Sequence, residues 1–177
     1  MPSVLDTARL ALARFSPADA PGFYELNADP EVIRHTGDEP FTSAAEAEAF
    51  IRAYAHYDRH GYGRWSVYLK ETGDYVGFCG LNYSARLDEV DVGFRFMRRY
   101  WGRGYATEAA RASLQHGFNV YNLSKIVGRA LPGNAASLRV LEKLGMQYVK
   151  DVENDGLLWR QYEIRRSDMI LADEYAQ

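Results

Sequence analysis

Between positions 98 and 107 the chain reads Arg98-Arg99-Tyr100-Trp101-Gly102-Arg103-Gly104-Tyr105-Ala106-Thr107. Backbone amides in such a glycine-bearing turn can point at one anion. Glycine lets a ligand approach closely, and a following helix adds about half a positive charge at its start. Arg98, Arg99 and Arg103 supply full charges nearby, so a diphosphate would suit this place. A tight strand-to-helix connection with solvated arginines would use the same residues, and the flanks separate the rival phosphate sites. A dinucleotide fold calls for Gly or Ala at Thr107 and an acidic residue at the end of the next strand, where this chain has Ile126-Val-Gly-Arg-Ala130. The Gly-Lys-Ser/Thr of a Walker loop is also missing.

The elements that must position this turn can be read from periodicity. From Glu89 to Phe96 the pattern has period two: Val90, Val92, Phe94 and Phe96 share one face, and Glu89, Asp91, Gly93 and Arg95 the other. After the turn, Ala106, Ala109, Ala110, Leu114, Phe118 and Tyr121 recur at three- and four-residue steps, which predicts a long amphipathic helix ended by Asn122. Upstream, Leu10 to Phe15 predicts a strand and Asp19 to Asn27 a helix. Ser43 and Glu46 have capping-box spacing before a helix over 44–58, and residues 65–69 with 76 onward form a hairpin. Downstream, Lys125–Ala130 predicts a short strand, Leu138 to Leu144 a helix stopped by Gly145, and Asn154-Asp-Gly156 a hairpin turn. No repeat or linker divides the chain, so one α/β domain over 1–177 is expected.

Arg99-Tyr-Trp-Gly102-Arg-Gly104 matches the coenzyme signature of the GNAT superfamily of acyl-CoA-dependent N-acetyltransferases: Arg or Gln, two residues, Gly, one residue, Gly or Ala. The longer run from Tyr100 to Ala109, the segment from Asn134 to Met146 and the opening Thr7 to Arg14 resemble the branch containing the bacterial ribosomal-protein N-terminal acetyltransferases. The resemblance implies an α+β fold: a strongly curved mixed sheet of about seven strands, its fourth and fifth splayed to hold pantetheine. It also implies acetyl-CoA as cosubstrate. Amides of Gly102, Arg103, Gly104, Tyr105 and Ala106 would hold the diphosphate, with Arg99 and Thr107 in the same site. Phe96 and Met97 would pair with pantetheine, and Asn134 would hydrogen-bond that arm.

Attack on a thioester needs a neutral amine, so a proton must leave a lysine-like group of pKa about 10.4 or an α-amine of about 7.7–8.0. Asp91 is the first candidate, because it lies on the polar strand face and resembles the acidic residue of the family's Glu-Ile-Gly segment. A free aspartate is a weak base at neutral pH, so water-linked catalysis or ammonium binding is the expectation, beside a purely solvated or cross-strand-paired carboxylate. Many GNAT enzymes place a thiolate-protonating tyrosine seven residues after the position of Asn134, and here that residue is Leu141. Ser137, one helical turn after Asn134, becomes the candidate donor to sulfur, although helix capping would use the same residues, and Tyr148 is a further donor. An amide near Phe96 would polarise the thioester oxygen.

The bulk numbers exclude other classes. A net charge of −3 from 21 basic and 24 acidic residues gives no field for nucleic acid. The opening has no secretory pattern and no segment reaches a membrane-spanning length, which predicts a cytoplasmic chain. Cys79 is alone, in a strand-like segment, and reads as a small buried hydrophobe. His35, His56, His60 and His116 lack metal-ligand spacing and no Gly-x-Ser-x-Gly elbow occurs, so no metal is expected. The predicted partners are acetyl-CoA and a protein N-terminal or small amine, with a homodimer left open. A catalytically silent acyl-CoA-binding module shares the turn and differs at Asp91 and Ser137. A nucleotide-binding protein is the third reading.

Overall fold

The structure, a computed structural model, describes residues 2–169. The expected domain over 1–177 therefore extends, at Met1 and at 170–177, outside the described residues. The chain order is β1 (Leu5–Asp6), β2 (Leu10–Arg14), α1 (Ala20–Ala28), α2 (Pro30–Ile33), α3 (Ala44–Ala53), α4 (His56–His60), β3 (Arg64–Leu69), β4 (Tyr75–Ser84), β5 (Glu89–Phe96), α5 (Tyr105–Asn119), β6 (Lys125–Ala130), α6 (Ala135–Lys143), β7 (Gln147–Asn154) and β8 (Leu157–Arg165). The strands form one eight-stranded sheet in the order β1-β2-β3-β4-β5-β6-β8-β7. It has one strand more than the expected seven, because two-residue β1 is too short to leave a periodic trace.

All neighbours are antiparallel except β5 and β6. That parallel pair is in register only at Asp91↔Val127 and Val92↔Gly128. Past Val92, β5 continues against β4 as far as the Gly77↔Phe96 pair, while β6 continues against β8. Counted from β2, these are the fourth and fifth strands, and they separate as the resemblance implied.

The two faces of the sheet are covered differently. Val92 and Phe96 of β5, with Cys79 and Leu81 of β4, bury against Ala109, Ala110, Leu114 and Phe118 of α5. On the other side, Phe23 of α1 and Ala47 and Ile51 of α3 form a smaller cluster with Phe15, Tyr75 and Phe78. Gly117 lets α5 approach closely: a Cβ there would lie 2.8 Å from Leu81 and 2.9 Å from Ile126. No helix among the described residues is long and apolar enough to cross a membrane.

One predicted helix divides. Residues 44–58 form α3 and α4 with Tyr54 extended between them. Tyr54 and Tyr57 make edge contacts with Phe15, and their hydroxyls take up the Arg64 amide and the Arg64 carbonyl. These tertiary contacts outweigh helical propensity at the junction. The cap at Ser43 forms on its own side, with Oγ accepting from the Glu46 amide. The Glu46 carboxylate reaches one residue further back, to the amide and hydroxyl of Thr42.

Candidate active site

The end of β5 leads through a 3-10 turn at Arg98–Tyr100 and then Trp101 to Gly104, the N-cap of α5. Gly102 and Gly104 have φ of 73° and 79°, a left-handed backbone that favours glycine. No atom lies within 4 Å of where a Cβ on Gly102 would sit, so conformation and open approach select glycine there. No acceptor among the described residues takes the amides of Gly102, Arg103, Gly104, Tyr105, Ala106 or Thr107; the next helical amide, Glu108, bonds to the Gly104 carbonyl at 3.0 Å. Consecutive donors without partners at a helix start form an anion site. Beside them opens a cavity of about 580 Å³ whose lining includes Thr107, Arg111 and Lys143.

This turn follows the end of β5, beyond the point where β5 and β6 part, so the opening between the two strands adjoins the row of unpartnered amides. The family profile described as an acetyltransferase (GNAT) domain matches residues 9–147. The chain belongs to the GNAT acetyltransferase family. A protein called uncharacterized N-acetyltransferase p20, from Bacillus licheniformis, is 31% identical over 168 residues, covering 94% of this chain and 90% of the relative. An acetyltransferase crystal structure from Agrobacterium tumefaciens superposes with a TM-score of 0.81 at 28% identity, covering 94% of this chain and 95% of that one. A ribosomal L7/L12 alpha-N-protein acetyltransferase in complex with coenzyme A has a TM-score of 0.78, covering 92% and 97%; at 15% identity it shows the fold alone. This chain is an N-acetyltransferase that takes its acetyl group from acetyl-CoA.

The cations of this acetyltransferase's turn are largely committed. Arg98 pairs with Asp29 at 3.4 Å, and Arg99 is bonded to Glu25, which raises its pKa. Arg103 lies 5.7 Å from the Tyr100 ring centre and has no carboxylate partner among the described residues. It remains the cation nearest to hand for a ligand. Two features were not singled out from sequence. Trp101, about half exposed, donates its indole N–H to the Phe96 carbonyl at 2.7 Å. The Met97 amide bonds across to Val76 of β4 at 2.9 Å, so by strand alternation the polar groups of Phe96 face the open side. Of the two residues expected to pair with pantetheine, Phe96 thus has its carbonyl already bonded to a donor, and Met97 has its amide on Val76 and its carbonyl on the Tyr100 amide at 2.9 Å. The second feature is Arg9 on the β1–β2 connection, which reaches the turn from outside the motif.

Asn134 and Ser137 sit together at the start of α6. Asn134 Oδ1 accepts the Ser137 amide at 3.2 Å, so the capping role is filled by the amide side of this pair. The Asn134 Nδ2 donors and the Ser137 hydroxyl remain without a partner among the described residues. Leu141, where many family members carry tyrosine, is a core residue packed over Gly128, where a Cβ would lie 2.5 Å from its Cδ2. Tyr148 is exposed and its hydroxyl bonds to Asp151 at 3.3 Å.

Asp91 reaches the polar face, as periodicity requires, but its carboxylate is not free. Arg64 Nη2 bonds to Oδ1, and Arg129 Nη1 lies 3.7 Å from Oδ2. Arg64 also donates to the carbonyls of Gly80 at 2.6 Å and Asp91 at 3.1 Å, pinning β4 to β5. Gly93 has no side chain because its Cβ would overlap this guanidinium. Burial opposes the Arg64 charge and the adjacent Asp91 more than offsets it, so the Arg64 pKa is raised. Arg129 is held in turn by Glu89 and by Gln161 at 2.8 Å. The nearby His56 accepts the Tyr83 amide on Nε2 at 3.0 Å, and burial lowers its pKa.

Proposed function

We propose that this enzyme acetylates an amine basic enough to attack but acidic enough to arrive uncharged, an α-amine in preference to a lysine-like or polyamine nitrogen, by direct attack in a ternary complex. The observation that carries this reading is the clamped Asp91. Its Oδ1 is bonded to Arg64 and its Oδ2 is approached by Arg129, so both carboxylate oxygens are engaged by guanidinium groups and neither is presented free to an acceptor amine. Its work is to fix the wall of the cleft through Arg64. The resemblance to the ribosomal-protein N-terminal branch points to the same acceptor class.

In this scheme the amides from Gly102 to Thr107 hold the diphosphate, with Arg99 at the edge of the site and Arg103 swinging in from the Tyr100 ring. The adenosine end lies toward the cavity with Arg111 and Lys143. Phe96 and Asn134 align pantetheine, with the Trp101 indole displaced from the Phe96 carbonyl and Met97 anchoring the strand end to β4. The amine nitrogen attacks the thioester carbon, the amide near Phe96 holds the developing oxyanion, and the carbon–sulfur bond breaks. Ser137 donates a hydrogen bond to the departing thiolate, and water carries the amine proton away.

At pH 7.5 roughly one third of an α-amine of pKa about 7.8 is neutral, against roughly 0.1% of a lysine-like amine of pKa about 10.4. Without a strong base, that ratio of about 250 passes into kcat/KM. The test is release of coenzyme A thiol with amines of graded pKa. α-Amines should lead at pH 7.5, with the gap closing as pH rises toward about 10. A polyamine preferred at pH 7.5 would overturn the acceptor class. No thiol with any amine would leave only a coenzyme-binding module.

A further inference from the structure

We propose that Arg9, from the far end of the sequence, is the residue that sets the diphosphate turn in its binding shape. This rests on the coenzyme reading of that turn. Arg9 Nη1 donates to the Arg103 carbonyl at 2.9 Å, between the two left-handed glycines. Its Nε and Nη2 both meet Glu108 Oε2 at 2.7 Å, and its guanidinium lies 4.5 Å from the Tyr105 ring centre. Glu108 Oε1 also accepts from the Arg9 amide at 2.9 Å and from the Thr7 hydroxyl at 2.6 Å. One side chain thus engages the turn and the first helical turn of α5.

Two consequences follow. The peptide joining Arg103 to Gly104 is trans, so its C=O and N–H point in opposite directions. Drawing the Arg103 carbonyl toward Arg9 aims the Gly104 amide the other way, to the side left for an anion. Glu108, within the first turn of α5, would by itself repel a diphosphate. Arg9 neutralises it and leaves the amide row electropositive. Burial works against the Glu108 charge, but the Thr7 and Arg9 hydrogen bonds more than offset it, so its pKa is lowered.

Coenzyme A affinity, by calorimetry, and pantetheine affinity, by NMR titration, separate this role from a general structural one, because pantetheine lacks the diphosphate. Arg9→Met should weaken coenzyme A about tenfold and leave pantetheine unchanged. Arg9→Lys, which keeps the charge without the fork, should cost about threefold for coenzyme A alone. Adding Glu108→Gln to Arg9→Met should restore part of the loss. If Arg9→Met or Arg9→Lys weakens both ligands equally, or neither, Arg9 does not position the turn. If the wild-type chain binds coenzyme A no tighter than pantetheine, the diphosphate reading itself fails, and this inference with it.

Discussion

Replacing Asp91 by Asn separates a structural carboxylate from a catalytic one. The Arg64 and Asp91 side chains are 19% and 16% exposed, so the pair is largely shielded. Removing one partner of a buried pair costs about 3–5 kcal/mol. Here Asn keeps an oxygen acceptor for Arg64, which also retains the Gly80 and Asp91 carbonyls, and Arg129 retains Glu89 and Gln161. The residual cost should be about 2 kcal/mol, a fall in Tm of about 4–8 °C for a chain of this length. A thermal melt reads that quantity. In parallel, kcat/KM for an α-amine acceptor measured from pH 6 to 9 should keep the rise set by the acceptor's own pKa near about 8. An unchanged Tm with a rate loss of about 10²-fold or more, recovered only at high pH, would assign the proton to Asp91 and refute the reasoning.

Other expected outcomes are independent of Asp91. Gly104→Ala should cost about 1–2 kcal/mol from its left-handed φ and also crowd Arg9 Nη2 at 3.4 Å, so Tm and coenzyme affinity fall together. At Gly102 the same strain meets open space, so Gly102→Ala should show its loss chiefly in the coenzyme Kd. Binding coenzyme A should change the fluorescence of Trp101 as its indole leaves the Phe96 carbonyl, a signal that Trp101→Phe abolishes; identical titrations in the variant would rule the displacement out. Burial pushes the Cys79 thiol up to about 11, beside Ser113 Oγ at 3.6 Å, so maleimide at pH 8 should label it only on unfolding.

The elements closest to the chemistry were those most legible in the sequence. The strand over 89–96 was readable because alternation along one strand is local. The turn was readable because Gly102 and Gly104 leave a compositional mark wherever the backbone must be left-handed. Legibility failed where distant residues compete. The helix over 44–58 breaks at Tyr54 because its ring and hydroxyl join Phe15 and the Arg64 amide. Two of the turn's three arginines proved to be paired with Glu25 and Asp29, carboxylates more than sixty residues away that no local pattern connects to them.

The sequence by itself determined most of the order of elements, the glycine turn before the long helix and the family, since each depends on residues adjacent along the chain. Only the tertiary structure decided the condition of the groups delivered to the site. Asp91 lies on the polar face of β5 in either case, but whether its carboxylate is free or bonded depends on Arg64, 27 residues away across two strands. The Gly104 amide belongs to the motif, yet its direction depends on Arg9, whose bond to Arg103 spans 94 residues. Charge state and orientation are properties of what surrounds a group in space, and covalent neighbours do not specify that surrounding.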